Sequence, residues 1–138
     1  MRPFLAELVA GRRPVKPLSA PLLDILARHM GVLRQEIVLE LLFDAGGRLC
    51  GYRVQGEGHP ASIAARYRSL FEHAFRLRAS GLVLVHNHPS GNPRPSAQDI
   101  RETRRLAAVA HAMDLEFYDH LVIGGPLVVS MRKAGLMT

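Results

Sequence analysis

The chain has 138 residues, of which 48% are hydrophobic, and a formal net charge of +6. This size suits one globular domain with its own core, and the single cysteine excludes an internal disulfide and a thiolate metal cage. Unbroken apolar runs are far shorter than the roughly 18 residues of a membrane helix and no export signal is recognisable, so we expect a cytoplasmic protein with no membrane partner.

The N-terminal part of the chain divides into two predicted segments. Residues 1–18 show little periodicity and contain one glycine, three arginines and three prolines, which predicts an extended N-terminal arm, or a segment that ties onto a neighbour, ahead of a domain at residues 19–138. Ser19 is a candidate N-cap for a helix with Pro21 in its first turn, and Gly31 predicts the end of that helix.

A hairpin and a helix follow. Residues 36–43 form a β-type run, residues 44–47 predict a turn, and residues 48–55 predict the second strand. Apolar residues then recur at helical spacing from Ile63 to Leu77. The hairpin is the clearest one in the sequence.

The second half of the chain predicts the centre of a sheet. Residues 82–85 are all apolar, which is typical of a strand buried on both faces. A helix begins at Ser96, with Met113 among its inward residues, and residues 115–123 and 127–130 add two late strands. The mixture of hairpins and helical crossovers predicts an α/β layered domain with a mixed sheet.

A polar run stands directly after the buried strand. It reads His86-Asn87-His88-Pro89-Ser90-Gly91 and continues, after a proline-rich turn, to Ser96 and Asp99. Side chains alternate along a strand, so His86 and His88 point the same way, and an acid in the next helix can fold back to meet them. Two imidazoles and a carboxylate are a typical ligand set for zinc in hydrolases, where a fourth coordination position is left open for water. The run therefore predicts a metal site.

Some of these polar residues also have purely structural interpretations. Ser96 followed by Asp99 resembles a capping box, and one acid can serve as cap and ligand together. For His120, beside Asp119, a hydrogen-bonded structural pair is favoured over a fourth ligand.

Metal-dependent hydrolysis also needs a carboxylate that accepts a proton from water and passes it to the leaving group. The candidates are Glu36, Glu40, Glu57 and Glu72. Glu36 opens the first strand of the hairpin, Glu40 falls in the middle of that strand, and Glu72 is predicted on a solvated helix face. Spacing alone leaves the choice open.

The complete set of motifs resembles the RadC-type branch of the JAB/MPN (JAMM) metalloprotease superfamily. The resemblance extends from about Glu36 to Met137 and is carried by His86-Asn87-His88-Pro89-Ser90-Gly91, Pro93, Pro95-Ser96, Asp99, Asp119-His120, Gly124, Ser130 and Gly135-Leu136. It implies a single MPN/JAB-like domain, with the layered arrangement of the cytidine-deaminase-like folds, in which helices flank a mixed sheet.

The resemblance also implies a role for each matching residue. His86, His88 and Asp99 match the zinc ligands of the JAMM motif, Ser96 matches the serine that orients the site and stabilises the oxyanion, and Glu36 matches the general acid/base. The implied function is a zinc-dependent peptidase or isopeptidase that uses a metal-activated water. The implied partner is a peptide or an isopeptide-linked protein.

The sequence departs from the family pattern in two places. Longer RadC-like proteins carry a helix-hairpin-helix-type region ahead of this domain, and the segment before Glu36 is too short for it, so the sequence adds no support for a role in DNA repair. His59 and Tyr67 stand where the family favours threonine and proline.

Two other classes of function remain open. The net charge and the cluster Arg101, Arg104 and Arg105 favour a DNA-associated accessory protein that binds nucleic acid, although arginines are scattered over the whole chain and suit a solvated surface better. A protein-interaction domain on the same scaffold is the other alternative, but such domains usually lose the ligands that are present here. The scissile bond and the oligomeric state are left open.

Overall fold

The computed structural model describes residues 2–10, 17–55 and 63–138. Within them the elements are α1 (Arg2–Val9), α2 (Ala20–Met30), β1 (Val38–Phe43), β2 (Leu49–Gln55), α3 (Ile63–Arg76), β3 (Gly81–Asn87), α4 (Ala97–Ala112), β4 (Glu116–Gly124) and β5 (Leu127–Ser130). In this part of the chain, no helix combines the length and apolar character needed to cross a bilayer.

The strands form a five-stranded sheet in the order β2-β1-β3-β4-β5. β1 pairs antiparallel with β2 and β3, β3 pairs parallel with β4 through the α4 crossover, and β5 returns antiparallel beside β4. The hairpin turn is held by Asp44, whose Oδ1 accepts hydrogen bonds from the backbone N–H groups of Gly46 and Arg48. The predicted mixed-sheet α/β domain is confirmed, and it agrees with an MPN/JAB-like fold.

β3 lies at the centre of the sheet and is buried along its whole length. Val83 and Val85 pack into a core that includes side chains of α2, while Leu82 and Leu84 pack into a second core with side chains of α3 and α4. Each face of the sheet is therefore covered by helices, as predicted for this strand. Because side chains along a strand point alternately to the two faces of the sheet, His86 lies on the same face as Leu82 and Leu84, the face that α3 and α4 cover.

The N-terminal segment differs from the predicted extended arm. Residues 2–9 form α1, and Leu5 is fully buried in the core that includes α2. The prediction of extended backbone is wrong for these residues because burial of the Leu5 side chain stabilises a short helix that local sequence signals do not reveal. Residues 11–16 lie outside the described residues, and the domain boundary at residue 18 stays a prediction.

The ends of α2 use their predicted residues in a different way. Ser19 is the N-cap residue, but its side chain makes no capping hydrogen bond. Gly31 has a right-handed φ of −66°, so it does not end the helix in the left-handed conformation. A Cβ at Gly31 would stand only 2.0 Å from the carbonyl oxygen of Gly125, so glycine is required there for close backbone packing.

α4 confirms most of its predicted inward face. Thr103, Leu106 and Ala110 are buried. Met113, also predicted to face inward, is 48% exposed. It is the C-cap residue, and the chain turns away at Asp114, whose φ is +58°. The prediction from helical spacing therefore made the buried face of α4 one turn too long.

Candidate metal centre

The two histidines of the His-x-His run lie at the C-terminal end of the central strand. His86 is only 3% exposed, and it stands between Val38 of β1 and Val122 of β4 in the sheet register. His88 follows the last residue of β3. Because side chains alternate along the strand, both imidazoles reach the α3/α4 face, and their ring centroids are 4.8 Å apart.

Asp99 meets these histidines from the first turn of α4. His86 Nε2 lies 3.0 Å from His88 Nε2 and 3.4 Å from Asp99 Oδ2, and His88 Nε2 lies 3.3 Å from the same oxygen. A tetrahedral ion with ligand bonds of about 2.0–2.1 Å holds its donor atoms about 3.3–3.4 Å apart. The spacing of the three predicted ligands therefore suits a zinc-sized ion.

The hydrogen bonding of the rings also suits a cation. His88 Nδ1 lies 2.9 Å from the carbonyl oxygen of Asn92, which can only accept a hydrogen bond. The Nδ1 atom must therefore carry the hydrogen, and in the neutral ring Nε2 presents a lone pair. This lone pair and the Asp99 oxygen converge on one point, where a positive charge is favourable.

The Asp99 carboxylate is held by the predicted capping box. The Ser96 backbone N–H donates to Asp99 Oδ2 at 2.8 Å, and the Asp99 N–H donates to Ser96 Oγ at 3.0 Å. Burial raises the pKa of Asp99, but hydrogen bonds with His86 and Ser96 outweigh that effect and hold it well below its ordinary value of 3.8. Asp99 is therefore ionised near neutral pH, as a metal ligand must be. A role for the Ser96 hydroxyl in oxyanion stabilisation stays a prediction.

Glu36 stands beside this group. The strand β1 begins at Val38, two residues later than predicted, so Glu36 lies in the segment that leads into the strand. Its Oε1 is 3.9 Å from His86 Nε2, and donor atoms of Glu36, His86 and His88 all lie within 4.8 Å of one another. The Glu36 side chain is 44% exposed, so water and substrate can reach it.

The other glutamate candidates have different surroundings. Glu40 is buried and bonded to Arg53 at 2.6 Å, and Glu72 is exposed on α3. Glu57 lies outside the described residues. Of the three candidate glutamates that lie within the described residues, Glu36 is the one in the histidine cluster.

Asn87, which the sequence analysis did not assign, fixes the segment that carries Glu36. Its side chain is buried, its Oδ1 accepts from the Ile37 N–H at 2.8 Å, and its Nδ2 donates to the Gln35 carbonyl at 2.9 Å. The amide thus bonds the backbone on each side of Glu36. An amide at the end of a strand that is predicted to be buried on both faces was the available signal, because a buried amide must find partners.

His120 was also assigned incompletely. Its ring does not pair with Asp119: Nε2 lies 2.7 Å from His86 Nδ1, and Nδ1 lies 2.6 Å from Thr103 Oγ1. Asp119 instead accepts hydrogen bonds from the Ser130 hydroxyl and the backbone N–H groups of His120 and Arg132. The predicted hydrogen bond between the two residues is therefore present through the His120 backbone N–H, while the His120 ring has other partners. Burial, followed by the nearby His86, lowers the pKa of His120 to about 3.

This shift predicts that acid destabilises the metal-free protein below pH 6.5. The unfolded chain binds a proton at His120 near pH 6.5 and the native chain does not, so stability is lost as the pH falls from there towards 3, by at most about 1.4 kcal/mol per pH unit. Protonation of Asp99 lowers the stability further only when the pH falls below about 3.8, the ordinary pKa of an aspartate. Urea unfolding at pH 7 and pH 5 measures the slope. The variant His120→Gln is expected to flatten it, and an unchanged slope would contradict this assignment.

A cavity of about 270 Å³ adjoins the candidate ligands. Its apolar lining includes Leu70, Leu84 and Leu106 from the α3/α4 face, and Glu36 and Asp99 also line it. The arrangement is typical of a binding site, with an apolar surface and a few converging polar groups.

One departure from the family pattern lies in the wall of this cavity. The Tyr67 hydroxyl donates to the Glu102 carbonyl oxygen at 3.1 Å and so links α3 to α4. His59, the other departure, lies outside the described residues.

The arginine cluster has a surface position. Arg101, Arg104 and Arg105 are exposed on α4, and Arg104 Nε donates to the Leu136 carbonyl at 3.2 Å. Arg104 therefore also contacts the C-terminal segment. Binding of nucleic acid by this surface stays a prediction.

Comparisons with known proteins agree with the geometry. Residues 18–136 match the family described as RadC-like JAB domain. UPF0758 proteins from Chloroflexus aurantiacus, Roseiflexus castenholzii and Neisseria meningitidis are 34%, 36% and 34% identical over 95%, 86% and 83% of this chain. The chain spans 61%, 49% and 51% of those relatives. The family match covers most of the chain, and the mixed sheet brings His86, His88 and Asp99 together. The chain therefore belongs to the RadC-like JAB domain family.

Proposed function

We propose that this domain is a zinc-dependent metallohydrolase that cleaves a peptide or isopeptide bond in a protein substrate. The observation that carries the proposal is the convergence of His86 Nε2, His88 Nε2 and Asp99 Oδ2 within 3.0–3.4 Å, with Glu36 beside them. Membership of the JAB family supports a metallohydrolase, and the peptide or isopeptide substrate is our finer proposal.

Each residue has a distinct part in the proposal. His86, His88 and Asp99 would hold the zinc, because two imidazoles and one carboxylate are ligands that suit this ion. Zinc in such a site supplies Lewis-acid chemistry, polarising the carbonyl and activating water. Glu36 accepts a proton at its carboxylate and returns it to the leaving amine. The exposed Ser96 hydroxyl accepts the Asp99 N–H and donates its own proton to the developing oxyanion.

The substrate is proposed from the shape of the site. The cavity of about 270 Å³ can hold a side chain next to the scissile bond, while Glu36 and Ser96 lie at positions that solvent reaches.

We place the reaction in the cytoplasm, since the single cysteine suits a reducing compartment.

Substrate profiling of the zinc-loaded protein tests this function. A peptide library with an isopeptide-linked set is incubated with the native domain and with Glu36→Gln, and the products are identified by mass spectrometry. We expect cleavage by the native domain that the variant loses. Equal cleavage by the two proteins, or no cleavage of any peptide by a fully zinc-loaded native domain, would contradict the proposal.

A further inference from the structure

On its far side the His86 ring bonds the buried His120 ring, which in turn bonds the buried Thr103 hydroxyl, and the proposed chemistry uses neither of these groups. His86 Nδ1 meets His120 Nε2 at 2.7 Å, and His120 Nδ1 meets Thr103 Oγ1 at 2.6 Å. The Thr103 hydroxyl also lies 3.6 Å from the Met131 sulfur. His86, His120 and Thr103 are 3%, 8% and 1% exposed. These contacts form a buried chain of hydrogen bonds that we call the His86–His120–Thr103 relay.

The direction of this relay decides whether His86 can bind a metal. A histidine that binds through Nε2 must carry its hydrogen on Nδ1. His86 Nδ1–H then donates to His120 Nε2, His120 Nδ1–H donates to Thr103 Oγ1, and the Thr103 hydroxyl donates to the sulfur of Met131. Every ring nitrogen in the relay has a partner in this arrangement.

The opposite direction is also satisfied, but it blocks the metal. Thr103 then donates to His120 Nδ1, and His120 Nε2–H donates to His86 Nδ1. His86 in this form carries its hydrogen on Nε2, which can donate to His88 Nε2 at 3.0 Å. The same three residues thus satisfy a metal-free and a metal-binding tautomer of His86.

We infer that His120 and Thr103 are positioning residues that let His86 take up its metal-binding tautomer inside the core. The inference rests on the proposed zinc site. Without the His120 acceptor, the metal-binding tautomer would leave the buried Nδ1–H of His86 unpaired, which is costly in a dry environment. Outer partners of ligand histidines typically change metal affinity about 10–100-fold.

Zinc affinity of four proteins tests the inference, measured by competition with a chromophoric chelator. His120→Leu removes the acceptor, and we expect its zinc dissociation constant to rise about 10–100-fold. His120→Gln can place an amide oxygen near the position of Nε2, so we expect it to recover most of the affinity. His111→Leu makes the same chemical change at an exposed position of α4 and is expected to leave the affinity unchanged.

A second substitution keeps the test valid if His120→Leu does not fold. Thr103→Val preserves the shape of the side chain but removes the acceptor of His120 Nδ1–H, and we expect about tenfold weaker zinc binding. If both His120→Leu and Thr103→Val bind zinc with native affinity, the inference is overturned. If His120→Leu is unfolded, native affinity in Thr103→Val is enough to overturn it. Failure of the native domain to bind zinc would instead defeat the proposed function.

Nitrogen-15 spectra of the imidazoles give a readout independent of hydrolysis. In the zinc-loaded native protein we expect His86 and His120 each to carry hydrogen on Nδ1. A hydrogen on His120 Nε2 in that sample would overturn the inference, because His86 would then have no acceptor at this position.

Discussion

Glu36→Gln is expected to slow hydrolysis by about 10²–10⁴-fold while zinc stays bound, the range found when a general acid or base is removed. The amide keeps the size of the side chain but cannot accept a proton. In the native protein the Glu36 carboxylate lies 3.9 Å from His86 Nε2, whereas the three proposed ligand atoms are only 3.0–3.4 Å apart. Glu36 is therefore not needed to hold the metal, and we expect the variant to keep its zinc. Rates on a cleaved peptide and zinc content are measured on the same samples.

Glu72→Gln is the matched control for this experiment. It makes the same chemical change on an exposed position of α3, and we expect native rates and native zinc content. An unchanged rate in Glu36→Gln would show that Glu36 is not the base. Loss of zinc from Glu36→Gln would show that Glu36 is a ligand.

Asn87→Leu is expected to lower the free energy of unfolding by about 2–4 kcal/mol and also to slow hydrolysis. The substitution keeps a similar volume but leaves the Ile37 N–H and the Gln35 carbonyl without their partner; these contacts are partly buried, so each loss is set at about 1–2 kcal/mol, the lower part of the range for unpaired groups. Glu36 lies between these two backbone groups, so its carboxylate loses its fixed position. Urea unfolding measures the stability, and the rate is measured under conditions where the variant is folded.

Asn92→Leu is the control for Asn87→Leu. The Asn92 side chain accepts the Arg94 N–H in an exposed loop, so we expect a change in stability within about 1 kcal/mol. The Asn92 carbonyl that bonds His88 belongs to the backbone and is kept. A folded Asn87→Leu protein with native stability and a native rate would rule out the positioning role of Asn87.

Local patterns in the sequence predict much of this fold. The all-apolar run at residues 82–85 identifies the central strand, and the Ser96–Asp99 spacing identifies the start of α4. The alternation of strand side chains also places His86 and His88 on one face, where the structure finds them. These features depend on neighbours a few residues apart, which is why periodicity and capping rules detect them.

Features that depend on distant parts of the chain were not predicted. His120 bonds His86, 34 residues earlier, and Asn87 bonds the backbone of Ile37, 50 residues away. These partners are set by the pairing of β3 with β4 and with β1, which local sequence does not specify. Similarly, α1 depends on burial of Leu5 in the core. The three predicted ligands lie together at the end of β3, and their role as a metal site stays a prediction; the residues that support them were not predicted.

The zinc content of protein purified without an affinity tag tests the metal centre most directly. Elemental analysis compares the native domain with His88→Ala and with His111→Ala, which removes an exposed histidine of α4. We predict one zinc per chain in the native protein and in His111→Ala, and loss of zinc in His88→Ala. A native protein that binds no stoichiometric zinc even after zinc is supplied, or full zinc retention by His88→Ala, would contradict the account.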